Sequence, residues 1–212
     1  MPSLAVLGGV KPEKTLIGLR SLSRNYDAVV PAGAVLNHVL RARGHRVGDS
    51  ELGEHPERCA KTTDEILGQT AARIHVPSRV VIARRSGDSF TDPREIPVAD
   101  GVPPGFAIVD FQLEGWLQDL MRDFGSSGCR AVLAGTPSLY LRGFQHASRQ
   151  LLNWASAPGV EAILLGGDTV SELPFDGPTS TGGGSALCYL GEGDLPVLRA
   201  LRENATMSWT EI

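Results

Sequence analysis

The chain has 212 residues, 42% of them hydrophobic and 21% charged, with a formal net charge of −4 and a mean hydropathy of −0.05. That balance fits one globular domain (1–212) with a proper core and excludes a strongly basic nucleic-acid surface. No apolar run reaches the roughly 18 residues of a membrane span, and no basic segment followed by a long apolar stretch opens the chain, so the expectation is a cytoplasmic protein with neither nucleic acid nor membrane as partner.

In chain order, short apolar runs recur at 4–7, 28–30, 80–83, 107–109, 131–133 and 162–165. They are apolar throughout rather than alternating, as expected of strands covered on both faces. Between them lie segments of helical period. Val35, Leu36, Val39 and Leu40 form the first. Leu113, Trp116, Leu117, Leu120, Met121 and Phe124 form the clearest, and Phe144, Ala147, Leu151, Leu152 and Ala155 a third. The interval from 30 to 80 needs two helices or an excursion. Residues 84–105, with four prolines and three glycines, read as a long surface loop. A last helix is expected from Ser185, its end marked by Gly191.

Strand and helix alternate at the spacing of βαβ units. The predicted fold is α/β: a three-layer α/β/α, Rossmann-like domain with a mostly parallel sheet, which binds ligands beyond the carboxyl ends of its strands. The three cysteines, Cys59, Cys129 and Cys188, are scattered without a C-x-x-C spacing, which argues for reduced thiols and against a zinc site.

Three glycine turns carry the chemistry. LGGVKPEKT brings Gly8 and Gly9 together with Lys11 and Lys14, two of the three lysines in the chain. LGGDT brings Gly166 and Gly167 together with Asp168 and Thr169. STGGGSAL places Thr181, Gly182, Gly183 and Gly184 before a helix. Glycine lets backbone N–H groups approach an anion, a helix N-terminus attracts it, and lysine neutralises it. Asp168 is suited either to a divalent ion or to capping the next helix. No Gly-Lys-Ser/Thr follows the glycines, so this is not a Walker A loop, and no serine stands in a nucleophile elbow. His38, His45, His55, His75 and His146 show no ligand spacing.

Six stretches in order resemble the nucleotide-binding, C-terminal half of phosphoglycerate kinase: LGGVK, DAVVPAGAVLNHVLRARGHRVGDS, VPPGFAIVD, AGTPSLYLRGF, LGGDT and STGGGSALCYLGEGDLPVLRAL. The resemblance implies ATP or ADP with Mg²⁺. Lys11 matches a lysine on the transferring phosphate, and Asp168 the aspartate associated with the Mg-nucleotide. Gly182, Gly183 and Gly184 match the helix N-terminus that receives the phosphoryl group, with Gly183 and Gly184 beside Lys11 as the catalytic set. Gly33 matches one glycine of the adenine wall. Gly8, Gly9, Lys14, Gly167, Thr169 and Thr181 complete the expected nucleotide site.

The departures are equally specific. The family's second lysine falls on Thr15, with Lys14 one place early. The asparagine of Asn-Gly-Pro falls on Ala134, and the glutamate that holds the ribose hydroxyls falls near Leu141. Two further adenine-wall glycines become Pro31 and Ala32. The six stretches match only the family's nucleotide half, so the half that grips the acceptor is expected to be missing. Two functions are therefore expected to compete. One is phosphoryl transfer between a nucleotide and a carboxylate or acyl-phosphate small molecule, completed by a partner protein or a second copy. The other is a degenerate kinase fold that binds nucleotide or phosphate as a regulatory or scaffold protein.

Overall fold

The computed structural model describes residues 1–205; residues 206–212, the end of the expected domain, lie outside the described residues. Six strands form one parallel sheet: β1 (Ser3–Leu7), β2 (Ala28–Pro31), β3 (Arg73–Ile74), β7 (Cys129–Ala134), β8 (Val160–Leu165) and β9 (Thr179–Ser180), ordered β3-β2-β1-β7-β8-β9. The chain runs outward from β1 to β3 on one side, then returns to pair β7 with the other side of β1, Leu4 opposite Ala131 and Leu7 opposite Ala134. The topological switch point therefore lies between β1 and β7, where open α/β sheets bind ligands.

All five residues of β1 are buried, as uniformly apolar runs predict for a sheet with two covered faces. Leu4 and Val6 point to one side, where they join α4 (Gly115–Ser127) through Leu117 and Met121 and α5 (His146–Ala155) through Leu151. Ala5 and Leu7 point to the other. There they meet Leu22 of α1 (Arg20–Asn25), Ile66 of α3 (Pro56–Leu67) and Leu187 of α7 (Gly183–Glu192). The helix α2 (Gly33–Ala42) contributes to both clusters through Leu36 and Val39, and with α3 it fills the long interval before residue 80. Two more helices, α6 (Gly167–Glu172) and α8 (Pro196–Ala205), complete the set, and none of the described helices is long and apolar enough to cross a membrane.

Three expectations need correction. Residues 84–105 are not a loop, because most of the segment is a β-hairpin of β4 (Arg79–Ser86) and β5 (Ser89–Pro97). Gly87 and Asp88 turn it, with Gly87 at φ +59° in the first central position of a two-residue turn. The prolines are accommodated because β5 is an edge strand with a bulge: the register slips between Ile82 and Arg84, opposite Asp92 (φ +51°) and Pro93. Secondly, the runs at 80–83 and 107–109 leave the parallel sheet; β4 pairs antiparallel with β5 and with β6 (Phe106–Phe111) in a separate three-stranded sheet. Finally, α7 does not stop at Gly191. An added Cβ there would collide with Ser21 of α1, so that glycine serves close helix packing, and the helix ends at Gly193 in the left-handed region, φ +71°.

Candidate active site at the sheet switch point

The carboxyl ends of β1 and β7 cross with almost no clearance. An added Cβ on Gly8 would strike the Thr136 carbonyl, and one on Gly135 would strike the Gly8 carbonyl. Above this crossing opens a cavity of about 830 Å³, within the usual range for a small-molecule site.

One end of the cavity is built for anions. Gly8 and Gly9 follow β1, Gly166 and Gly167 lead from β8 into α6, and Gly183 and Gly184 open α7; all six line the same space. The three turns thus face one another. Gly183 and Gly184 have no internal reason to lack a side chain, since an added Cβ on either meets nothing within 4 Å. Thr181 lines the cavity, whereas Gly182 is the N-cap of α7, its N–H donating to Ser180 Oγ at 3.2 Å and its carbonyl accepting from Ala186 at 2.6 Å. Gly33 and Thr169 also line the space, with Thr169 almost fully buried.

Both turn lysines reach this end. Lys11 Nζ lies 3.2 Å from Asp168 Oδ2, and both side chains are largely exposed, 69% and 79%. Lys14 opens a π-helical segment, Lys14–Leu19, that runs directly into α1. Its Nζ donates to the Ala134 carbonyl at the end of β7, 3.2 Å away. Burial, and then the Lys11 charge, hold the Lys14 pKa below the usual lysine value against an opposing pull from Asp168. Thr15, where the resemblance puts the second lysine, is only 2% exposed and packs into the core. Lys14 is therefore the lysine the segment presents to the cavity.

Asp168 does not cap α6. The N-cap is Gly166 with no side-chain bond, and the Asp168 carboxylate faces Lys11 instead. No group of three or more His, Cys, Asp or Glu side chains that could hold a metal exists among the described residues. A single carboxylate beside an anion site fits Mg²⁺ carried by nucleotide phosphates, because that ion is usually held by one or two carboxylates plus substrate oxygens.

The other end of the cavity is apolar, walled by Leu36, Ile108, Val109, Phe111, Leu139 and Leu141. Between the two ends stand residues that the sequence reading did not single out. Thr136 Oγ1 donates to Glu172 Oε2 at 2.8 Å, and both line the cavity. Asp110, buried in the wall, accepts from the backbone N–H groups of Phe111, His146 and Ala147 at 2.9, 2.7 and 3.1 Å. It ties the end of β6 to the start of α5 and so fixes the segment from 135 to 145. Burial pushes its pKa up against these three bonds. Three arginines of the hairpin, Arg84, Arg85 and Arg94, do not line the cavity: Arg84 and Arg94 lie over the Phe106 ring at 4.5 and 4.3 Å, and Arg85 lies 3.6 Å from Glu51.

The family model for phosphoglycerate kinase matches residues 1–193. The chain belongs to the phosphoglycerate kinase family. It is 25% identical to the phosphoglycerate kinase of Moorella thermoacetica over 95% of this chain and 52% of that protein, and 28% identical to that of Chlamydia trachomatis over 92% and 50%. Among solved structures, the phosphoglycerate kinase of Coxiella burnetii superposes with a TM-score of 0.74 at 21% identity, covering 97% of this chain and 54% of that one. The enzyme of Pyrococcus horikoshii gives 0.71 at 23%, covering 95% and 52%. The chain thus spans about half the length of the phosphoglycerate kinases it matches.

Proposed function

We propose that the chain binds ATP or ADP with Mg²⁺ and supports phosphoryl transfer to a carboxylate or from an acyl phosphate, with a partner protein or a second copy supplying the surface that holds the acceptor. The observation that carries this reading is the meeting of Lys11, Lys14, Asp168 and the start of α7 around one open cavity whose far end is apolar. Phosphates would lie against Lys11, Lys14 and the free N–H groups at Gly183 and Gly184, and the base against Leu36, Ile108 and Leu139. Mg²⁺ beside Asp168 would neutralise phosphate charge.

In the forward direction an acceptor carboxylate oxygen forms a bond to the γ-phosphorus while the bond from that phosphorus to the β–γ bridging oxygen breaks. ADP leaves as the anion, an acyl phosphate forms, and no proton changes hands. The work left to the protein is positioning and charge stabilisation, which fits a site with lysines and a helix N-terminus.

The competing reading, a nucleotide- or phosphate-binding regulatory or scaffold protein, draws support from Leu141. It stands where the resemblance puts the ribose glutamate and is 70% exposed.

Calorimetry with ATP and with ADP, each with Mg²⁺, tests the binding step: Lys11→Ala and Asp168→Ala should each weaken it, and unchanged affinity in both would remove these residues from the site. A coupled assay of these 212 residues as a purified monomer, with ATP, Mg²⁺ and 3-phosphoglycerate, should give no useful turnover, because orienting the acceptor supplies a large share of such a rate. Robust turnover by a confirmed monomer would refute the need for a partner, whereas turnover appearing only with a partner would favour the enzyme over the scaffold.

A further inference from the structure

Resting on the nucleotide reading above, we propose that Glu172, held in place by Thr136, accepts the ribose hydroxyls of the bound nucleotide, so that the sugar is read from α6 rather than from the segment carrying Leu141.

Four carboxylates line the cavity: Glu13, Asp110, Asp168 and Glu172. Glu13 is exposed at the mouth. Both Asp110 oxygens are engaged by backbone N–H groups, and Asp168 is engaged by Lys11 at the anion end. Glu172 is half-buried, and among the described residues its carboxylate accepts one side-chain bond, from Thr136 Oγ1 at 2.8 Å. An ionised carboxylate offers about four acceptor positions, so most of its capacity is open.

Its place along the cavity decides which part of a nucleotide it meets. Thr136 follows Gly135, whose backbone crosses Gly8 at the anion end, and precedes Leu139 on the apolar wall. Thr136 and Glu172 therefore stand at the junction of the two ends. A nucleotide is ordered base, sugar, phosphate, so with its base on the apolar wall and its phosphates on the glycine turns, the sugar falls at that junction. The chemistry matches, since a carboxylate accepts from vicinal hydroxyls. The Thr136 hydroxyl, having donated its proton to Glu172, keeps lone pairs to accept another and locks the carboxylate in one orientation. With an aliphatic side chain at Leu141, the ribose has no carboxylate on that side.

The test is calorimetric, on the full chain with Mg²⁺, using ADP, 2′,3′-dideoxy-ADP and pyrophosphate. The wild type should prefer ADP over the dideoxy analogue by about ten- to a hundred-fold, the worth of a hydrogen bond to a charged group. Glu172→Gln, which can still accept from Thr136, should shrink that ratio while leaving pyrophosphate binding unchanged. Thr136→Val should shrink it less. Equal wild-type affinity for ADP and its dideoxy analogue would overturn the proposal, and that comparison needs no mutant to fold. A ratio retained in Glu172→Gln would overturn it as well. If ADP binds and Lys11→Ala weakens it while the dideoxy analogue binds equally well, the assignment of Glu172 alone fails. If neither ADP nor pyrophosphate binds the wild type, the nucleotide reading and this inference fall together.

Discussion

Lys11 and Asp168 are separated by 157 positions in the chain, yet their charged groups meet at 3.2 Å across the carboxyl ends of β1 and β8. A pair this exposed contributes at most about 1 kcal/mol to stability, so Lys11 can leave the carboxylate for a phosphate at little cost. Lys11→Ala should accordingly leave the melting temperature nearly unchanged while weakening Mg-nucleotide binding about ten-fold or more. Differential scanning fluorimetry beside calorimetry separates the two effects.

The glycines at the start of α7 predict a trade between stability and binding. Gly184→Ala places a methyl group in open space inside a helix and should stabilise the fold by up to about 1 kcal/mol. The same methyl group would obstruct close approach of a phosphate to the helix N–H groups, so affinity for pyrophosphate should fall. Urea denaturation and calorimetry on one preparation check both signs.

Gly191 should behave in the opposite way. Although alanine favours helix, Gly191→Ala meets Ser21 of α1 and should destabilise the chain by about 1–3 kcal/mol. Ser21→Gly in the same chain removes the colliding atoms and should restore much of the loss, a coupling that a double-mutant cycle measures.

Stability should decline in mild acid because of His75. The ring is buried against Phe111 and Trp116, its Nε2 accepts from the Glu114 N–H at 3.1 Å, and Nδ1 therefore carries the proton, with no partner among the described residues. Burial lowers its pKa from 6.5 to about 4, with Glu114 opposing. Between those values the unfolded chain binds a proton that the folded chain refuses. The stabilisation is complete above pH 6.5 and is lost as pH falls towards 4, in total on the order of 3 kcal/mol. Chemical denaturation at pH 7 and pH 4.5 should show this loss in the wild type and a smaller one in His75→Gln.

The parallel sheet and the glycine turns were legible in the sequence because each rests on a local signal: an uninterrupted apolar run, or glycines beside a strand end. The hairpin was not. Four prolines and three glycines make 84–105 read as a loop, and only an edge position with a bulge reconciles Pro93 and Pro97 with a strand that turns at Gly87-Asp88. Gly191 is ambiguous in the sequence because one residue type serves both helix termination and close packing, and the neighbour that decides is Ser21, far away in the chain. Lys14 stands out in the sequence as a lysine of the first glycine turn, whereas no local signal marks the burial of Thr15 beside it. Thr136 lies within one of the resembling stretches and Glu172 within none, and nothing local marks them as a pair; they become one only once the ends of β7 and α6 are set side by side.

The pairing of β1 on both sides has a consequence for biosynthesis. β1 ends at Leu7 and β2 at Pro31, but the strand that covers the other edge of β1 starts at Cys129. Until that point has been translated, a strand whose residues 4–7 are all apolar has an uncovered row of backbone donors and acceptors, the kind of edge that recruits other chains. The β4–β5 hairpin, made of contacts between near neighbours, can close while the ribosome is still producing the rest. Slowing translation just ahead of β7 should therefore lower the soluble yield more than an equal delay placed after β8.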